Sequence, residues 1–238
     1  MKKISVVFIF LFASLWGLWH MSKSRNFQIS GQLISHVENA DSLIALTFDD
    51  GPTPQYTDAV LAILEKYDVP ATFFVTGKET ENNIQEAQKI VRAGHQLGNH
   101  SYSHQQMVLK SYHFHENEIE RTDQSIRNAG YQGEIYFRPP YCKKLFLLPW
   151  ILSQKNKVSV TWNIEPESFA DVRDNAQKIA THVEQKVKPG SIILLHVMYE
   201  SREESRKSLP IIIENLKQKG YKFVTINELI RDGSDGSV

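Results

Sequence analysis

The chain has little with which to staple itself together. Among its 238 residues there is a single cysteine, Cys142. No internal disulfide can form, so neither a disulfide scaffold nor a four-cysteine zinc module is available. Net charge is missing as well. The 27 Lys and Arg residues balance 27 Asp and Glu, which leaves no electrostatic case for nucleic acid as a partner. No low-complexity tract or block of like charge divides the sequence after residue 42. What is present is an ordinary globular balance, with 41% apolar and 23% charged residues. That suits one sizeable domain or two small ones, held by a hydrophobic core.

The long apolar run lies at the N-terminus. Lys2 and Lys3 precede Ile4–Trp19, a stretch broken only by Ser5, Ser14 and Gly17. A basic start followed by such a run is the export pattern, so residues 1–21 read as a signal peptide or an N-terminal membrane anchor. No clean small-x-small cleavage site follows, and Trp16, Trp19, Lys23 and Arg25 have the character of interfacial anchors. The run is nevertheless short of the roughly 20 residues of a full span, and both readings stay open. Either gives an exported protein, whether periplasmic, extracellular or held on the outer face of the cytoplasmic membrane through residues 4–21. The polar residues 22–41 read as a linker or peripheral segment, and residues 42–238 as one folded domain.

From Ser42 onward, short β-rich runs alternate with amphipathic stretches. Strands are expected at Leu43–Phe48, Ala71–Val75, His95–Asn99, Glu134–Phe137, Val158–Trp162, Ser191–His196 and Lys222–Thr225. Helices are expected at Thr57–Tyr67, Asn83–Ala93, Glu116–Ala129, Lys144–Gln154, Asn175–Val187 and Leu209–Lys219, with Pro149 bending the fourth or marking its true start. The charged run Glu200–Lys207 reads as a solvated loop. Repeated strand–helix alternation gives an α/β fold with a largely parallel sheet, either a barrel or a doubly wound open sheet.

The polar residues then fall into a pattern. Asp49 and Asp50 end the first strand, His100 and His104 follow the third, and Arg138 ends the fourth. Trp162 ends the fifth, with Glu165 and Glu167 just beyond, and His196 ends the sixth. The C-terminal ends of parallel strands meet at one face, where active sites form. His100 and His104, four apart, point the same way if they share a helical turn. Two imidazoles and one carboxylate make a divalent-cation site with positions left for water and substrate. The carboxylate comes from the Asp49–Asp50 pair, and the acid that does not bind the cation is free to act as a general base. Arg138 would hold that base ionised and oriented, and the strand-end position of His196 suits a general acid.

These residues carry a family resemblance. Thr47-Phe48-Asp49-Asp50-Gly51, His100-Ser101-Tyr102-Ser103-His104, Arg138-Pro139-Pro140-Tyr141 and Leu194-Leu195-His196 resemble, in content and order, the motifs of the polysaccharide deacetylases, carbohydrate esterase family four. The resemblance implies a distorted (β/α)7 barrel. It implies a divalent metal of the zinc type, with Co2+, Ni2+ or Mn2+ as alternatives, held by Asp50, His100 and His104. Asp49 is then the base, His196 the acid, and the Tyr141 backbone amide the oxyanion donor. Trp162 and Leu195, together with Tyr141, would wall a pocket for the acetyl methyl. Two departures stand out. The family's Asp-x-x-Asp-Trp motif is replaced by Glu165-Pro166-Glu167-Ser168-Phe169. Ser168 cannot supply the charge that orients the histidine, which leaves Glu165 or Glu167 as substitutes. The glycine that usually follows Pro-Tyr is Cys142.

The expected activity is metal-dependent hydrolysis of acetyl groups, foremost the N-acetyl of amino sugars, on an acetylated glycan of the envelope or exterior. An O-acetyl ester or small cyclic amide would suit the same site, an ester needing less help from the acid. A non-catalytic protein that binds metal and glycan is the reading from another class, and the intact Asp49 and His196 argue against it.

Overall fold

Buried apolar runs and short connections set the element order. The computed structural model describes residues 2–38 and 40–234, with side chains from Phe12 to Gly233. Its elements begin with α1 (Lys2–Ser22), β1 (Leu33–Ile34), β2 (Leu43–Asp49), α2 (Thr57–Lys66), β3 (Thr72–Val75), α3 (Gly77–Asn82), α4 (Ile84–Arg92) and β4 (Gln96–Asn99). There follow α5 (Tyr112–Asn128), α6 (Leu147–Gln154), β5 (Ser159–Val160), α7 (Ala176–Lys186), β6 (Ile192–His196), α8 (Glu203–Gln218), β7 (Lys222–Val224) and α9 (Ile226–Ser234).

The hub is β2, an apolar run buried at every position after its first. It pairs in parallel with β3, with β6 over Ala45–Asp49, and with β7 over Leu43–Ala45. Parallel pairing continues from β3 to β4. Beyond β4 the ring is carried by single bridges: Asn99 to Phe137, Phe137 to Ser159 of β5, and Ile164 to Ile193 of β6. The sheet therefore closes on itself as a distorted (β/α)7 barrel rather than opening as a doubly wound sheet. The expected fourth strand shrinks to the single residue Phe137, bridged on both sides, because Pro139 and Pro140 follow at once and have no N–H to extend a ladder.

Alternation along the strands sorts side chains into two layers. Ile44, Leu46, Phe48, Ile193 and Leu195 pack outward with helix residues such as Val60, Ile90, Ile179 and Ile212. Ala45, Phe74, Ile192 and Leu194 pack into the barrel with Val160 and Trp162.

Three helical features depart from the sequence expectation. The extra helix α3 follows Thr76, whose side chain accepts from the Glu79 N–H and caps it. The helix α9 extends the chain past the last expected strand. The run Glu200–Lys207 is not a loop: after a 3-10 turn at Glu200–Arg202 it forms the first turn and more of α8. Glu203 and Glu204 suit the positive N-terminal end of that helix, and both pair with Lys207.

The end of α1 and the segment after it lie against the barrel rim. The Lys144 N–H donates to Ser22 O (2.8 Å), Lys143 Nζ stands 3.3 Å from the Trp19 ring centroid, and Thr161 Oγ1 donates to Arg25 O (2.6 Å). Residues 22–41 then run on to β1, which pairs with β5. Among the described residues no helix is long and apolar enough to cross a membrane.

Because β2 contacts three strands at once, its core side chains should be costly to truncate. Leu46, with no exposed surface, provides the test: Leu46→Ala should lower the unfolding free energy by about 2–5 kcal/mol in urea titrations.

Candidate active site

Asp49 is the last residue of β2 and faces the barrel interior. In a continuing strand Asp50 would face the opposite way. Its φ of +75° breaks the strand instead, and both carboxylates come close to one imidazole. His100 Nε2 is 3.5 Å from Asp49 Oδ2 and 4.0 Å from Asp50 Oδ1. The turn is tied down by Glu79, which accepts from the Gly51 N–H (2.9 Å), from Thr76 Oγ1 (2.7 Å) and from the Tyr199 hydroxyl (2.8 Å).

The two acids have different partners. Asp49 Oδ1 accepts from Arg138 Nη1 at 2.6 Å, with Arg138 fully buried. The same guanidinium donates to Thr47 Oγ1 and to the carbonyls of Val160 and Thr161, and it stacks 3.8 Å from the Phe74 ring centroid. Burial alone would raise the Asp49 carboxyl. The Arg138 charge, with those of His100 and His196, more than reverses this and holds Asp49 below the usual carboxylate range. Arg138 stands behind Asp49 and does not line the cleft, which makes it a positioning residue.

Asp50, His100 and His104 form the other half. His104 Nε2 is 3.4 Å from Asp50 Oδ1, and one ligand atom from each of the three residues lies within 4.8 Å of the others. Asp50 Oδ1 is buried and has no hydrogen-bond partner, a costly state for an acceptor unless a cation sits beside it. His100 Nδ1 donates to Arg138 O (2.8 Å), leaving Nε2 free to ligate. Burial, reinforced by the nearby His100 charge, lowers the His104 pKa and favours its neutral, ligating form. This donor set fits a divalent cation. The two histidines do not share a helical turn as expected. Ser101 and His104 have φ of +65° and +55°, and the loop is held by Ser101 N–H to Asn99 Oδ1 and His104 N–H to Ser101 Oγ.

Across the cleft, His196 Nδ1 donates to Glu167 Oε2 at 2.5 Å, and the His196 backbone N–H also points at that carboxylate. Ser205 of α8 donates to the other oxygen of Glu167. Burial depresses His196, but the Glu167 bond and charge, with Asp49 and Asp50 beyond, outweigh it and raise the pKa to about 9. Glu167 therefore takes the place left by Ser168. Glu165 has a different task, accepting from Arg25 (2.5 Å) and from the Trp162 indole N–H (3.0 Å).

These groups line a cleft of about 470 Å3, which also includes Tyr141, Trp162 and Cys142. Leu195 is not in it. Strand alternation sends Leu195 into the outer core and puts Leu194, on the His196 side of β6, in the wall. Tyr141 and Cys142 both have left-handed φ, +55° and +56°, which explains why a glycine suits the second position. Three contributors escaped the sequence reading. Ser205 lay in a run taken for loop, Arg25 in a segment taken for anchor or linker, and Glu79 has no motif. Glu167 was visible only as one of two acids after Trp162.

Comparison with known proteins points to one family. Residues 36–154 match the family model described as polysaccharide deacetylase. The chain is 32% identical over 204 residues to a peptidoglycan-N-acetylglucosamine deacetylase of Bacillus cereus, covering 85% of this chain and 94% of that protein. It is 30% identical to the peptidoglycan-N-acetylmuramic acid deacetylase PdaA of Bacillus subtilis, covering 89% and 85% respectively. The solved structure of the Bc1960 peptidoglycan N-acetylglucosamine deacetylase is similar with a TM-score of 0.77 at 32% identity, over 83% of this chain and 92% of that one.

The His196–Glu167 bond has a measurable consequence. Since the folded His196 pKa lies above its ordinary 6.5, the stability it adds is complete below pH 6.5 and is lost as pH rises through about 9. In metal-free protein, NMR titration should find His196 still protonated at pH 8, and Glu167→Gln should move its midpoint down by at least one pH unit.

Proposed function

The chain belongs to the polysaccharide deacetylase family, and on that premise we propose that it is a metal-dependent hydrolase that removes N-acetyl groups from amino sugars of an exported glycan. The carrying observation is the division of labour across the cleft. An ionised Asp49 and an acid-ready His196 stand on either side of a carboxylate–imidazole–imidazole donor set. Asp50, His100 and His104 would hold a divalent cation, zinc foremost, which when bound polarises the acetyl carbonyl and acidifies a water.

The remaining steps belong to the chain. Asp49 has one oxygen occupied by Arg138, so Oδ2 accepts the proton of the attacking water. Tyr141 lines the cleft, and its backbone N–H would donate to the oxyanion, an interaction typically worth about 3–4 kcal/mol in such roles. His196 keeps its Nδ1 proton on Glu167, and the Nε2 proton is the one given to the departing amine. Trp162 and Leu194 supply the apolar wall for the acetyl methyl.

An amine is a poor leaving group, so amide cleavage needs the strong acid help that an ester can do without. With Glu167 present, His196 is fully equipped for it, and this favours N-acetyl over O-acetyl substrates. Residues 1–21 we read as the export segment, which would deliver the enzyme to glycans of the cell wall.

Acetate release from chitohexaose, peptidoglycan glycan strands and acetylated xylan tests this directly. Release from the N-acetylated substrates should stop with chelator and return with Zn2+. Asp50→Ala and His100→Ala should lose both metal binding and turnover. Asp49→Asn should bind metal with turnover down by at least 100-fold. Full activity in Asp49→Asn, or acetate from xylan alone, would overturn the assignment.

A further inference from the structure

Most charges lining the cleft cancel in pairs, but two cations stand outside them. Asp49 is matched by Arg138, His196 by Glu167, and Arg25 by Glu165. Asp50 belongs to the cation site. Arg202, from the connection between β6 and α8, also lines this cleft. Among the described residues no carboxylate pairs with it, and its Nε is buried without a hydrogen-bond partner. The acids that follow it in sequence are already engaged, Glu203 and Glu204 with Lys207. The second cation, Lys23 at the rim, also has no ion pair among the described residues and rests near the Trp19 ring.

Position gives the arginine a meaning. Arg202 closes the 3-10 turn that leads into α8, and Ser205, one helical turn on, is the residue bonded to Glu167 behind His196. Arg202 is thus tied through the start of α8 to the wall that carries His196, and on the deacetylase reading the amine and its sugar ring depart on that side. A guanidinium with an unpaired, desolvated N–H is matched best by a carboxylate, which can accept two parallel bonds.

We propose that Arg202 is a specificity residue that binds a carboxylate carried on the sugar side of the scissile amide, so that the enzyme prefers acidic N-acetylated glycans. This rests on the deacetylase reading above. The carboxylate has two chemical sources, an acid ether-linked to the acetamido sugar itself, as in N-acetylmuramic acid, or a uronic acid next to it in the chain.

Three substrates separate these: peptidoglycan glycan strands containing N-acetylmuramic acid, oligosaccharides alternating N-acetylglucosamine with glucuronic acid, and neutral chitohexaose. Acetate release by the full chain should have its highest kcat/KM on one of the two acidic substrates, and which one identifies the source. Arg202→Gln should lower kcat/KM on that substrate about tenfold, mainly through KM, as expected for the loss of one charge-assisted interaction. The fall on chitohexaose should be much smaller, and Arg202→Lys should recover part of the loss. The pH profile of kcat should not move, whereas a structural role through Ser205 and Glu167 would shift its alkaline limb. Equal losses on acidic and neutral substrates, or no preference in the parent chain, would overturn the proposal. Binding of the same oligosaccharides to Asp49→Asn, with and without Arg202→Gln, reads the preference without turnover. Acetate from none of the three would instead overturn the deacetylase reading.

Discussion

The buried contact between Arg138 and Asp49 sets two adjacent carboxylates apart, and on the proposed reading it is what allows them to do different work. Neighbouring acids at a strand end would ordinarily share protons or compete for one cation. Here the guanidinium, anchored on two backbone carbonyls and Thr47, commits one oxygen of Asp49 and holds it ionised. Asp50 is left with a buried, unbonded oxygen facing two imidazoles. The positive φ at Asp50 is the backbone counterpart of this separation, since without it the second carboxylate would leave the barrel interior. Left-handed residues also occur at Ser101, His104, Tyr141 and Cys142. Such concentration at one face is what is expected where the surrounding structure imposes geometry on a reaction centre.

The opposite wall is built by longer-range contacts. His196 ends β6, its carboxylate partner comes from the turn after β5, and that carboxylate is held in turn by the first turn of α8. A barrel closed by single bridges at Phe137 and Ile164 leaves room for these turns to fold over the strand ends. The segment after α1 adds a third contribution. Through Arg25 and Lys23 the chain preceding the barrel becomes part of the cleft wall.

Much of this was legible in the sequence, for identifiable reasons. The strands β2, β3, β4 and β6 announce themselves as short apolar runs, and their polar terminal residues mark the functional face because parallel strands share one direction. Asp49, Asp50, His100, His104, Arg138 and His196 follow from that rule alone. What was not legible depends on φ and on tertiary partners. His100 and His104 looked like neighbours on a helical turn, but a left-handed loop brings them together. Leu195 looked like a wall residue, and only the register of β6 shows that Leu194 faces inward. Glu167 and Glu165 were indistinguishable as two acids after Trp162 until Ser205 and Arg25 separated their roles. Charge density hid α8's first turn, since ESREESRK suits both a solvated loop and a helix start stabilised by i,i+4 pairs.

The central claim, that the paired acids divide into a cation ligand and a proton acceptor, can be seen directly. Crystals soaked in Zn2+ and measured at the zinc absorption edge should show one anomalous peak in the cleft. It should be bounded by Asp50 Oδ1, His100 Nε2 and His104 Nε2, with Asp49 outside the ligand set and still on Arg138. A peak ligated by Asp49, or a cation site away from the two histidines, would contradict the account.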